Sequence, residues 1–313
     1  MTIQMRNLSP ALQAQIALSS YGLMLSPTGK IFYVDSGHVN AGTGKPGTDP
    51  NNPLSTIDEA IGLCTANNGD LIVVSPGHTS TVTAAAGIAI DVAGVTILGI
   101  GTGSNRPTVN FTTAVGASVS ITAANCTIIN MLFTGGIDAL TNPISIAAAD
   151  CTLLNIETRD VTGQATDFIV TTAAADRLRI CDWFHNGAAA AGADTAISIV
   201  GGDSIVIEEF RIHGNFAVAA IENVTTATTN IRIGGGRKSN HIWTKNAADV
   251  AVTMAATSTG WIGPNINAML TDNAANITEA FVGAACFFFQ PINIVNLAGE
   301  SSMQTNITAS TDA

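Results

Sequence analysis

The sequence predicts an all-β fold, a right-handed parallel β-helix with about 25–27 residues per coil and a capping helix near its start. Three observations predict it. The first is repetition. Five stretches superpose: SVSITAANCTIINMLF (Ser118 to Phe133), PISIAAADCTLLNIET (Pro143 to Thr158), IVTTAAADRLRICDWF (Ile169 to Phe184), AISIVGGDSIVIEEF (Ala196 to Phe210) and AAIENVTTATTNIRIGGG (Ala219 to Gly236). Each holds a short strand-like run, a tight turn ending in Asn, Asp or Thr, and a second strand-like run. With Cys126, Cys151, Arg177, Ser204 and Asn230 aligned just after the turn, successive steps are 25, 26, 27 and 26 residues. IAIDVAGVTILGIG is a weaker copy that places Val95 in the same position, 31 residues before Cys126. The second observation is period. Apolar residues alternate within each run, and the 3.6-residue spacing of helical repeats is absent there. The third is composition: 11% of residues are charged, against about 25% in an ordinary soluble domain, with Ala, Thr, Ser, Gly and Asn in their place. Equivalent residues should then stack about 4.8 Å apart, and Ile128, Leu153 and Ile205 should share one inward column.

The elements follow in order. Residues 1–29 precede the repeat. Ser9-Pro10 has the signature of a helix start. Leu12, Ile16, Ser20 and Leu23 follow at helical spacing, and Pro27 with Gly29 stops the run. This segment is either a cap over the first coil or an arm that docks on a neighbouring subunit. Lys30 to Asp35 is a strand by its aromatic and β-branched content, and Ser36 to Pro53 is loop. Ser55-Thr-Ile-Asp58 opens a helix over 55–66, with Asp58 where a capping box usually has Glu and with Ile57, Ala60, Ile61 and Cys64 on one face. Laid over the open end of a β-helix, that face would hide backbone groups that otherwise recruit another strand. Asp70 to Gly77 is the first coil strand. Beyond Gly236 the register blurs. Asp249 to Met254 and Asn276 to Val282 are further coils of different length, and Cys286 to Val295, the most apolar stretch, is an end plug or a subunit interface. The β-helix domain spans 30–298, and 299–313 is a polar tail.

The succession Tyr33-Val34-Asp35, Gly42, Pro53, Thr56-Ile57-Asp58, Ala60, Gly69-Asp70, Ile72, Val74 and Pro76-Gly77, followed by coils of the type "c.I.n..F" to Gly236, resembles the pectate-lyase-like superfamily of right-handed parallel β-helix proteins. More narrowly, it is similar to the β-helical virion proteins of tailed bacteriophages. The resemblance covers roughly residues 29–236 and describes a scaffold; it implies no particular activity.

Several side chains invite a chemical role. The turn residues Asn125, Asp150, Asp176 and Asp203 would line up on adjacent coils, and such an oxygen ladder can bind Ca²⁺. The alternative is that Asn and Asp are there because they tolerate a left-handed turn. Asp160, Asp182, Glu208 and Glu209 face one groove at neighbouring coils, as a glycoside hydrolase pair would. The N-T-D, D-D, G-H-G and R-I-K motifs of β-helix polygalacturonases are nevertheless missing, and Arg211-Ile-His-Gly214 is only an echo of one of them. The arginines Arg177, Arg179, Arg211 and Arg232 read as partners for Glu157, Asp182 and Glu208 in a solvated ladder. His38, His78, His185, His213 and His241 are scattered. Gly234-Gly235-Gly236 before Arg237-Lys238 is a loop, with no phosphate-cradle pattern. The only tryptophans are Trp183, Trp243 and Trp261. No catalytic, cofactor-binding or metal-binding residue is therefore assigned, and no cofactor is expected.

Net charge of −11 and a pI of about 4.6 argue against nucleic acid as a partner. The chain has no apolar run of about 18 residues to cross a membrane. The Met1 end has no secretory leader pattern. Five cysteines without metal-ligand spacing read as free thiols, with Cys126 and Cys151 stacked on adjacent coils, in a protein folded in a reducing interior. The expected role is non-enzymatic: a homotrimeric decoration (cement) protein bound to the major capsid protein on the outer surface of a phage capsid. The alternatives are a tail-associated β-helix that binds or cleaves host polysaccharide, and a free polysaccharide lyase or hydrolase.

Overall fold

A computed structural model describes residues 29–160, 165–188, 192–223, 225–244, 250–270, 280–283, 285–296, 301–302 and 307–308. The expected N-terminal arm, apart from Gly29, and most of the polar tail lie outside these residues. The chain winds into a parallel solenoid with three flat faces, built from an 18-stranded and a 9-stranded sheet. One coil consists of Thr127–Ile129 on the first face, Leu132–Gly135 on the second and Ile144–Ile146 on the third. The next repeats it with Thr152–Leu154, Glu157–Asp160 and Asp167–Thr171, each paired in parallel register with its predecessor. The first two faces share the larger sheet because Arg179–Asn186 and Val206–Gly214 run through their common corner without a break.

A coil thus has three faces where the sequence reading found two strands, and only Arg179–Asn186 and Val206–Gly214 keep the second run as one strand. The corner that divides the second run is made by Asn130, Asn155, Asp182 and Glu209, all at positive φ. A single residue in that conformation bends the backbone without lengthening the loop, so a run such as CTIINMLF reads as continuous. The asparagines also join neighbouring coils: Asn155 Nδ2 donates to Asn130 Oδ1 at 3.0 Å, and Asn130 Nδ2 donates to the Gly99 and Gly101 carbonyls at 2.8 and 2.9 Å.

The aligned column needs a correction of one residue. The hydrogen bonds Thr127 N to Val95 O, Thr152 N to Cys126 O, Arg179 N to Cys151 O and Val206 N to Leu178 O place Val95, Cys126, Cys151, Leu178 and Ile205 in one buried column. Arg177, Ser204 and Asn230 stand one position earlier, with Asn125, Asp150 and Gly94, in a column of left-handed turn residues. Arg177 adopts φ 55°, a conformation the sequence reading reserved for Asn and Asp, while forming a bidentate pair with Asp150 at 2.6 and 2.8 Å. The inward stack correspondingly runs Ile97, Ile128, Leu153, Ile180, Ile207 and Ile233, so Ile207 takes the place expected for Ile205. Fully burying one such side chain contributes about 1.5–3 kcal/mol. Gly260 interrupts the buried column because φ is +137° there, and a Cβ would fall 2.1 Å from the Ile231 carbonyl oxygen.

The helix is shorter than expected, Ile57–Gly62, and its N-cap is Thr56, whose hydroxyl accepts from Glu59 N. Ile57, Ala60 and Ile61 are buried, and Asp58 Oδ1 accepts from Ala89 N at 2.8 Å. That amide belongs to Ile88–Ile90, the first strand of the third face, so the helix covers an edge that would otherwise be open. Asp70 is also buried. Its carboxylate accepts from Lys30 N, Thr65 N and Asn68 Nδ2, tying the first two strands together. Cys286–Phe288 and Ile292–Asn296 extend the first two faces as one more coil. Within the expected tail, Ser301–Ser302 pairs antiparallel with Ile294 and Val295, and Ile307–Thr308 joins the third face.

Candidate functional site

The four carboxylates proposed for one groove do not assemble there. Glu208 is buried on the outside of the first face, and its neighbours one coil down and one coil up supply Arg179 and Arg232. Arg179 binds it at 2.7 Å through Nη2, and Arg232 pairs with its other oxygen. Both oxygens are engaged by arginines, so Glu208 is not open to substrate. It is a clamp between coils rather than part of a solvated ladder. Asp182 and Glu209 occupy the bend column. Lys238 pairs with Asp182 at 2.7 Å, and Glu209 accepts from Arg237 N. Asp160 points inward on the second face, where burial pushes its pKa up to about 6. Glu157 is held by Arg106 at 3.2 Å and Arg159 at 2.6 Å.

The turn carboxylates are likewise occupied by the protein. Asp150 and Arg177 form the pair described above, and hydrogen bonding to Arg177 holds the Asp150 pKa below the usual range. Asp176 Oδ1 accepts from Asp203 N at 2.8 Å. Asp203 accepts from Thr229 Oγ1, Ser204 Oγ and Asn230 Nδ2, which lower its pKa in that order. The one-residue shift also separates Asp176 and Asp203 from the Asn125–Asp150 column. Among the described residues no group of three or more His, Cys, Asp or Glu is placed to hold a metal ion.

One serine–histidine contact resembles a nucleophile and its base. His78 Nε2 lies 2.8 Å from Ser80 Oγ, but His78 Nδ1 accepts the Ser36 backbone N–H at 2.9 Å. With Nδ1 as acceptor, the proton of the neutral ring sits on Nε2, which donates to the serine and cannot deprotonate it. Burial lowers the His78 pKa to about 4. His185 is fully inside the solenoid, with Nδ1 2.8 Å from Thr158 Oγ1 and its ring against Phe168, Trp183 and Phe216. Burial lowers its pKa to about 3.

What remains is a surface. On the outer second face, register sets Arg211, His241, Asn267 and Asn293 in one column and His213, Trp243 and Met269 in the next. They line a groove of about 450 Å³. The Arg211 guanidinium stands 5.1 Å over the Phe184 ring, and His213 lies edge-on to Phe184 and Trp243 at 5.5 and 5.3 Å. Within the groove Trp243 is 37% and Met269 47% exposed, and on the first face of the last coils Trp261 is 42% and Phe287 72% exposed, with Phe289, 50% exposed, against Trp261. The alternation of strand side chains could have placed Trp243, Trp261 and Phe287 outside, had the register beyond Gly236 been legible. Comparison with family models, with curated proteins and with solved structures finds no significant match to this chain.

Proposed function

We propose that this chain is a non-enzymatic structural protein of a tailed-bacteriophage particle, a homotrimeric decoration protein that grips the major capsid protein from outside the shell. The observation that carries the structural reading is the patch of outward aromatics on the last coils of the first face, Trp261, Phe287 and Phe289. Contiguous exposed apolar surface marks a contact with another protein. The surrounding surface is poor in charge, and the carboxylates suited to catalysis are neutralised by arginines or hydrogen-bonded to backbone. The phage setting rests on the motif resemblance running from Tyr33 to Gly236. Mass spectrometry of purified particles with imaging of the shell tests it. Peptides of this chain in stoichiometric amount, and density on the capsid exterior, are expected. Location at the tail, or release of reducing ends from host polysaccharide by the purified chain, would replace the proposal with a glycan-directed one.

A further inference from the structure

The groove on the second face holds a cation, Arg211, in an acidic chain, beside His213, whose pKa burial lowers. Arg211 has no ion-pair partner among the described residues, His213 and His241 stand beside it, and no carboxylate lines the groove. The third face carries the opposite feature. Asp167, Asp194 and Glu222 sit on three successive coils, and no lysine or arginine pairs with any of them among the described residues. Burial raises the pKa of Asp167 and Glu222, and the shared negative charge of the cluster adds to it. Within one chain the two clusters lie on different faces. Arg211 and Glu222 nevertheless belong to the same turn of the solenoid, since the strand ending at Gly214 leads directly into Ala219–Asn223.

We propose that the second face of one copy docks on the third face of the next around a threefold axis parallel to the solenoids, with Arg211 meeting Glu222, the last-coil member of the Asp167–Asp194–Glu222 cluster. Rotation about such an axis keeps every turn at its own height, so a cation and an anion of one turn face each other between copies. The contact is head-to-tail around the ring and closes after three subunits. Charge complementarity of this kind fixes register and suppresses wrong pairings. The exposed side chains of Trp243 and Met269 supply apolar area beside the charge. This interface rests on the self-assembling reading above and specifies which surfaces carry it.

Light scattering on the full chain tests both ideas separately. The unaltered protein should show three times the 31.9 kDa chain mass at micromolar concentration. Arg211→Glu and Glu222→Arg should each raise the dissociation constant about a hundredfold or more, because like charges then face across the contact. The double reversal should regain the trimer. Arg211→Gln and Glu222→Gln, gentler changes at the same sites, should weaken association about tenfold with unchanged circular dichroism. A trimer indifferent to all of these variants would overturn this interface while leaving the trimeric reading intact. A monomer in the unaltered protein would overturn both.

Discussion

Arg177 and Leu178 are adjacent, yet they answer to different physics. Arg177 sits in a left-handed turn on the surface and Leu178 in the buried column. Arg177→Gly should leave stability nearly unchanged, since relief of the positive φ offsets loss of an exposed ion pair. Leu178→Ala should cost about 2–5 kcal/mol by emptying a packed site. Urea denaturation of both variants checks the register, because an alignment with Arg177 in the column reverses the order. His185 provides a second residue-scale test. Its folded pKa lies far below the unfolded value, so its contribution is complete above about pH 6.5 and is lost as pH falls towards about 3. Over that window the unfolded chain binds one more proton, and stability should drop about 1.4 kcal/mol per pH unit on this account. Asp160 acts oppositely: raised to about 6, it favours the fold below about pH 3.8 and loses that contribution as pH rises through 6. The measurement is the denaturation midpoint of the unaltered protein and of His185→Phe between pH 6.5 and 4. The slopes of the two proteins should differ by about one proton, the variant lacking the loss of stability towards acid pH that His185 causes. Equal slopes would mean that the imidazole is not held neutral by the core.

At the scale of the element, coils are held to one another by side chains as well as by strand pairing. Glu208 shows this most clearly, clamped between arginines from the coils on either side. Glu208→Gln should lower stability by about 1–3 kcal/mol, discounted from the value for a fully buried pair because both arginines reach solvent. Combining it with Arg179→Gln should cost less than the sum of the two single changes; strict additivity in thermal melts would refute the clamp. Much of this level was legible beforehand. The period, the strand runs and the capping helix follow from alternation and turn chemistry, and Cys126 and Cys151 do fall in one buried column. The one-residue slip after Cys151 arose because Asp176 and Asp203 look like turn residues, whereas the turn conformation is taken by the Arg and Ser that follow them. The bend at Asn130 and Asn155 was hidden because one left-handed residue leaves no gap in an apolar run. The second-face groove was invisible for a related reason: its columns are set by pairings between Arg211, His241 and Asn267, and no repeat beyond Gly236 was clear enough to register them.

For the whole molecule, stability is a sum over neighbouring turns, so the interior can stay closed while an end opens. The thiols make that difference measurable. Cys126, Cys151, Cys181 and Cys286 are buried, and desolvation pushes Cys151, Cys181 and Cys286 up to about 11. Thiolate is the reactive form, so an alkylating reagent finds almost none in the folded chain at neutral pH. Each cysteine therefore serves as a dormant clock for its own turn, wound until the coil around it parts. Cys286 lies on the last described coil and should be alkylated first, with Cys126 and Cys151 protected until the centre gives way. Peptide mapping of a labelling time course would read the order of unwinding directly, and simultaneous labelling of all three would mean that the solenoid opens as a single cooperative block.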